Sequence, residues 1–123
     1  MEEALRVIVA DARWTVANEI AQAIGQTGPR YCIEGIAQDG TELLQQVERL
    51  KPHAVIFDSA LPVLGGLALY TALREAYPDV GLVMMCDNEE ARYINGALLG
   101  KTLAWRKKMS DIRSPVFTKS AIT

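Results

Sequence analysis

The sequence predicts a single α/β domain built on a parallel sheet, with helices alternating with the strands along the chain. Short, almost continuous apolar runs at residues 5–10 and 54–57 are typical of strands that are covered on both faces. Between these runs the apolar spacing becomes helical, as in Val16, Ile20 and Ile24. A chain of 123 residues has room for one domain of this kind.

Five strands are predicted from apolar or β-branched runs that end at polar or turn residues. Asp11 ends the first run, an Asp39-Gly40 turn follows the second, and Asp58 ends the third. The predicted strands cover residues 5–10, 31–37, 54–57, 81–85 and 102–106.

Four helices are predicted in the intervals, and most of them end at glycine or proline. Gly25 and the Gly28-Pro29 pair end the first helix, and Pro52 follows the second. The helices are predicted over residues 14–25, 43–50, 66–77 and 87–100. Residues 109–123 have no regular helical stripe, so we expect the domain to span 1–108 and to be followed by an irregular basic tail or an incomplete fifth helix.

Composition and charge exclude several classes of protein. The formal net charge of −2 divides into −8 over residues 1–90 and +6 over residues 91–123. No apolar run is long enough to cross a membrane, and the acidic N-terminus is unlike a secretory signal. Cys32 and Cys86 show no metal-binding spacing, and a lone His53 argues against a Ser-His-Asp triad. We therefore expect a protein of the reducing cytoplasm.

Candidate functional residues fall at the predicted carboxyl ends of the strands, where open parallel sheets bind their ligands. Asp11, Asp58 and Cys86 follow three of the runs, and Lys107 follows the fifth. Two carboxylates suit a hard cation such as Mg²⁺. A carboxylate can also attack phosphorus as a nucleophile, and a lysine can neutralise the transferring group.

The order of these motifs resembles that of the response-regulator receiver domain, over residues 5–108. The matching stretches are residues 6–11 (RVIVAD), 37–43 (AQDGTEL), 52–58 (PHAVIFD) and 61–66 (LPVLGG), together with Gly100 and Lys107.

The resemblance implies a five-stranded, doubly wound, flavodoxin-like fold and a role in two-component signal transduction. It implies that Asp58 is the phosphoacceptor, receiving its group from the phosphohistidine of a sensor kinase, and that Lys107 contacts the phosphoryl group. It also implies Mg²⁺ binding by Asp11, Asp58 and the Ala60 carbonyl. No enzymatic activity beyond self-phosphorylation is expected, and a homodimer through the fourth-helix and fifth-strand face is a further expectation.

Three positions depart from the family pattern. Ala12 stands where the second metal-binding acid is expected, Cys86 where the switch hydroxyl is expected, and Ala104 where the switch aromatic is expected. The Mg²⁺ site is therefore expected to be weak or lost.

These departures leave two alternatives open. The first is a pseudo-receiver that binds partners without phosphorylation. The more remote one is a flavodoxin-like binder of a small ligand, although no glycine-rich loop follows the first strand. Residues 106–108 (RKK) form a basic run, which we interpret as part of a partner-binding face, with nucleic acid contacted only through an output domain that these residues do not include.

Overall fold

The protein is a five-stranded parallel sheet with helices on both faces, as the sequence predicts. The structure, a computed structural model, describes residues 4–86 and 116–118. Its strands are β1 (Leu5–Ala10), β2 (Tyr31–Ala37), β3 (Ala54–Asp58), β4 (Gly81–Cys86) and β5 (Val116–Thr118). Its helices are α1 (Trp14–Gly25), α2 (Gly40–Leu50) and α3 (Gly66–Ala76). None of the described helices is long and apolar enough to cross a membrane.

The strand order β2-β1-β3-β4-β5 places the first and third strands side by side in the middle of the sheet. The chain leaves β1 in one direction to form β2 and then returns past β1 to form β3. This reversal between β1 and β3 is the topological switch point, where a crevice opens at the carboxyl ends of the strands.

Alternate residues of each strand serve two separate cores, because successive side chains point to opposite faces of a sheet. On one face, α2 and α3 pack Leu43, Val47 and Leu73 against β1, β3 and β4. On the other face, α1 packs Ala17 and Ile20 against the intervening strand residues. The runs at β1 and β3 are almost wholly apolar because both faces of these central strands are covered.

A strand that the sequence does not predict, Val116–Thr118, pairs with β4. Residues 102–106, and the predicted helix at 87–100, lie outside the described residues. The place beside β4 is taken by Val116–Thr118, which pairs in parallel with Met84, Met85 and Cys86. Residues 116–118 (VFT) are β-branched or aromatic and follow a proline, a combination that suits the start of a short edge strand.

The start of α2 fixes the loop that follows β3. Asp39 caps the helix, with its Oδ1 accepting a hydrogen bond from the Glu42 N–H at 2.7 Å. The Gly40 N–H donates to the Pro62 carbonyl at 3.0 Å. A Cβ on Gly40 would lie 2.1 Å from the Leu64 carbonyl oxygen, so only glycine fits this contact.

We predict that Gly40→Ala lowers the free energy of unfolding by about 1–3 kcal/mol, the usual cost of forcing an atom into a packed contact. Gly25→Ala is the matched control, because no atom lies within 4 Å of a Cβ at that helix end. The control variant should be neutral or more stable by up to about 1 kcal/mol. Urea denaturation of both variants measures the difference, and equal losses in the two would contradict the close-packing argument.

Candidate functional site

Two buried aspartates end neighbouring strands. Ala10 of β1 lies opposite Phe57 of β3 in the parallel register, so Asp11 and Asp58 emerge at the same level of the sheet. Asp11 is 1% exposed and Asp58 is 4% exposed. Two carboxylates are thereby held in a poorly solvated place, where charge needs compensation.

Arg13 supplies part of that compensation. Its Nε lies 3.2 Å from Asp11 Oδ1, and its Nη2 lies 3.3 Å from Asp11 Oδ2. The same Nη2 is 3.9 Å from Asp58 Oδ2. One guanidinium therefore interacts with both carboxylates.

Two hydrogen bonds hold the main chain of Arg13 in place. The Arg13 N–H donates to Asp11 Oδ1 at 2.9 Å, which closes a local turn directly after β1. Arg13 is also the N-cap residue of α1, and its carbonyl accepts a hydrogen bond from the Ala17 N–H at 3.0 Å. The arginine is thus held at the strand-to-helix junction, while its side chain stays 57% exposed to solvent.

The hydrogen bond to Asp11 favours the protonated form of Arg13. The hydrogen bond to Asp11 raises the pKa of the Arg13 guanidinium above its already high ordinary value, with the charges of Asp11 and Asp58 adding to the effect. The arginine is therefore a permanent cation at any pH at which the domain is folded.

The loop after β3 joins this site to β4. The Ser59 N–H donates to the Met85 carbonyl at 2.8 Å, and the Leu61 N–H donates to the Asp58 carbonyl at 3.1 Å. The Ala60 N–H lies 3.4 Å from Asp58 Oδ1. The Asp58 carboxylate therefore has a backbone N–H near one oxygen and Arg13 near the other.

The structure describes some of the other predicted site residues and not others. Cys86 is the last residue of β4, and its backbone pairs with Thr118 of β5. Lys107 and Ala104 lie outside the described residues. Ala60 follows Ser59 as an exposed loop residue, and Ala12 is exposed between Asp11 and Arg13.

Residues 7–104 match the response regulator receiver domain. The chain belongs to this family. The receiver assignment accounts for the strand order, for the helices on both faces and for an acidic pair at the switch point.

The curated relatives that this chain resembles are longer than the chain itself. The chain is 32% identical over 87 residues to a protein-glutamate methylesterase/protein-glutamine glutaminase of Moorella thermoacetica, covering 71% of this chain and 20% of that protein. It is 30% identical over 86 residues to the response regulator GacA of Pseudomonas protegens, covering 70% of this chain and 40% of that protein. The chain thus spans well under half the length of these relatives.

Solved structures agree on the fold. The isolated receiver domain of RcsB from Salmonella enterica serovar Typhimurium, determined with the phosphomimetic BeF₃⁻, superposes with a TM-score of 0.73 at 20% identity, covering 98% of this chain and 96% of that one. The response regulator domain of Thermotoga maritima CheB gives a TM-score of 0.61 at 24% identity, covering 68% and 60% of the two chains.

The residues at the switch point do not fit the Mg²⁺ that the receiver family implies. Within residues 4–86, no group of three or more His, Cys, Asp or Glu side chains is placed to hold a metal ion. Ala12 offers no carboxylate, and both oxygens of Asp11 already accept hydrogen bonds from Arg13. Mg²⁺ keeps several waters and binds through one or two carboxylates, so at this site it would have to share Asp11 with the Arg13 guanidinium.

Arg13 belongs to this site through its contacts with both aspartates, although no role is predicted for it from the sequence. An arginine two residues after a buried aspartate, at the end of a strand, is the pattern that could have revealed it. Trp14, which follows, is 55% exposed and starts α1.

We predict opposite effects on stability for the two aspartates. Asp11→Asn should lower the free energy of unfolding by about 1–3 kcal/mol, because Asp11 is the anion that accepts the arginine hydrogen bonds. The half-exposed guanidinium places the loss toward the lower end of that range. Asp58→Asn should raise the stability by about 0.5–2 kcal/mol, because it removes the repulsion between two neighbouring buried carboxylates. Thermal and urea unfolding of both variants measure the signs, and a loss of stability in Asp58→Asn would contradict this charge balance.

Proposed function

We propose that the chain is the phosphoryl-accepting module of a two-component signalling protein and that Asp58 is its acceptor. The observation that carries this proposal is the placement of a buried Asp58 carboxylate at the switch point, 3.9 Å from the Arg13 guanidinium. A nucleophile that carries negative charge gains reactivity where water is largely excluded, and a neighbouring cation stabilises the charge that builds on the transferring group.

The reaction needs only a phosphodonor. A carboxylate oxygen of Asp58 attacks the phosphorus of a phosphohistidine or of acetyl phosphate, and the bond from phosphorus to the donor breaks. The electron pair of that bond leaves with the imidazole or the acetate. The product is an acyl phosphate on Asp58, which carries about −1.5 to −2 charge near neutral pH in place of the single negative charge of the carboxylate.

The surroundings of Asp58 support this assignment. The loop after β3 is tied to β4 through Ser59 and to α2 through Pro62, so the acceptor stands on a rigid edge of the sheet. The Ala60 N–H lies 3.4 Å from Asp58 Oδ1 and supplies a donor beside the acceptor oxygen. Arg13, with its exposed guanidinium, is placed to form hydrogen bonds to the oxygens of an incoming phosphoryl group.

A pseudo-receiver is the second candidate, and the altered metal site favours it. Because the pocket lacks the carboxylate expected at Ala12, phosphorylation by the usual metal-assisted route is impaired. In this reading the domain binds its partner through a surface of the fold whether or not Asp58 is modified.

The same proposal includes a sensor histidine kinase as the phosphodonor and a cytoplasmic location for the chain. Cys32 is a free and exposed thiol, which a reducing compartment permits. A homodimer through the fourth-helix and fifth-strand face stays a prediction, since that helix lies outside the described residues.

We predict that acetyl phosphate in the presence of MgCl₂ adds the mass of one phosphoryl group to the wild-type chain. Asp58→Asn should abolish the addition, because the amide is not a nucleophile. Asp79→Asn is the matched control: this exposed aspartate lies between α3 and β4, and its variant should accept the group as the wild type does. Intact-mass spectrometry measures the adduct. A wild-type chain that gains no mass, with acetyl phosphate or with a phosphorylated kinase, is a pseudo-receiver.

A further inference from the structure

We infer that the Arg13 guanidinium is the resident cation of this pocket and takes the place of a divalent metal ion. The pocket then excludes Mg²⁺, and phosphorylation of Asp58 proceeds without it. The first statement rests on the geometry of Asp11, Arg13 and Asp58, and only the second rests on the proposed function.

The metal-binding face of Asp11 is already occupied. Oδ1 accepts hydrogen bonds from the Arg13 backbone N–H at 2.9 Å and from Nε at 3.2 Å, and Oδ2 accepts one from Nη2 at 3.3 Å. A metal ligand must approach Mg²⁺ to about 2.0–2.1 Å. These hydrogen bonds use about three of the four acceptor sites of the Asp11 carboxylate, and the guanidinium repels a second cation, so Mg²⁺ competes with Arg13 for this carboxylate.

The guanidinium also reaches the second carboxylate. Nη2 lies between Asp11 Oδ2, at 3.3 Å, and Asp58 Oδ2, at 3.9 Å. A bridging divalent cation would contact oxygens of both carboxylates, whereas Arg13 donates hydrogen bonds to Asp11 and interacts electrostatically with Asp58. With two negative charges against one positive charge, the three side chains sum to −1.

The arginine is attached where it acts, which gives it an advantage over a metal ion taken from solution. Its backbone is fixed by the turn after Asp11 and by the start of α1. The cation is therefore present at high effective concentration, and millimolar Mg²⁺ competes poorly with it.

The exposed part of Arg13 leaves room for an anion. The side chain keeps 57% of its surface accessible while its nitrogens contact the two aspartates. A guanidinium has five N–H donors in a planar fork that matches the oxygens of a phosphoryl group. The pocket therefore suits a phosphoryl group that is attached to Asp58 and contacted by Arg13, with no metal ion bound.

Metal binding is tested first, with MnCl₂ and MgCl₂ as probes of the full chain at constant ionic strength. Wild-type amide signals of Asp11, Ser59 and Ala60 should show no selective broadening by Mn²⁺, and the Tm should change by less than about 1 °C with millimolar Mg²⁺. Selective broadening at these amides, or a clear rise of the wild-type Tm, would overturn the inference. This arm needs no variant.

Removal of the Arg13 side chain should allow Mg²⁺ to bind the two carboxylates. Arg13→Ala removes the guanidinium that interacts with both buried carboxylates, so its Tm should fall in metal-free buffer and rise by about 5 °C when Mg²⁺ is present at ten times its Kd. The double variant Ala12→Asp/Arg13→Ala should respond at lower metal concentration. Arg49→Ala, which removes an exposed arginine from the last turn of α2, should show no response to metal. An Arg13→Ala variant that folds and ignores Mg²⁺ would refute the competition between the two cations.

Phosphorylation is tested separately, by comparing adduct yield from acetyl phosphate in EDTA and in MgCl₂. The wild type should give yields within about twofold of each other, whereas Ala12→Asp/Arg13→Ala should depend on Mg²⁺. A wild-type adduct that disappears in EDTA would overturn the metal-free route. If no adduct forms under either condition, the assignment of Asp58 as acceptor fails, while the Mn²⁺ and Tm results still decide which cation the pocket holds.

Discussion

The parallel pairing of β1 with β3 forces two acidic side chains to end side by side in a buried place. Because Ala10 is opposite Phe57, neither Asp11 nor Asp58 can move along its strand without shifting the register of the whole sheet. Both faces of these strands are covered by helices, so the carboxylates have little access to water. Burying two charged groups costs free energy. The turn after β1 and the loop that is hydrogen-bonded to β4 provide groups that offset this cost.

Arg13 stabilises the pair unequally, and the inequality separates the roles of the two aspartates. Asp11 takes the direct hydrogen bonds and is the structural partner, while Asp58 has the longer contact and keeps a carboxylate oxygen near a backbone N–H. In the proposed function, the longer contact of Asp58 with Arg13 suits an acceptor, since each hydrogen bond to a charged carboxylate lowers its nucleophilicity. A buried charge that is kept for reactivity is one form of the balance between stability and activity.

Most of the fold can be predicted from the sequence, because the central strands and the α1 and α3 helices have strong local signals. The runs at β1 and β3 are apolar throughout, and glycine or proline punctuates the helices. The positions of Asp11 and Asp58 follow from the strand ends alone. The contact of Arg13 does not, because an arginine after a turn is usually a solvated side chain and only its geometry shows otherwise. The edge strand at 116–118 also escaped prediction, since three residues are too few to establish a periodicity.

The position of β5 in the sequence has a consequence for how the sheet comes apart. Twenty-nine residues lie between Cys86 and Val116 along the chain, and bringing such distant strands together costs chain entropy in exchange for three residue pairs. The central strands are held by longer ladders and by two cores, whereas this edge is held by the shortest one. A short ladder gives way more readily than a long one, so we expect β5 to separate from β4 before the central strands part. That separation would expose backbone hydrogen-bonding groups of Met84, Met85 and Cys86, next to the strand that ends at Asp58.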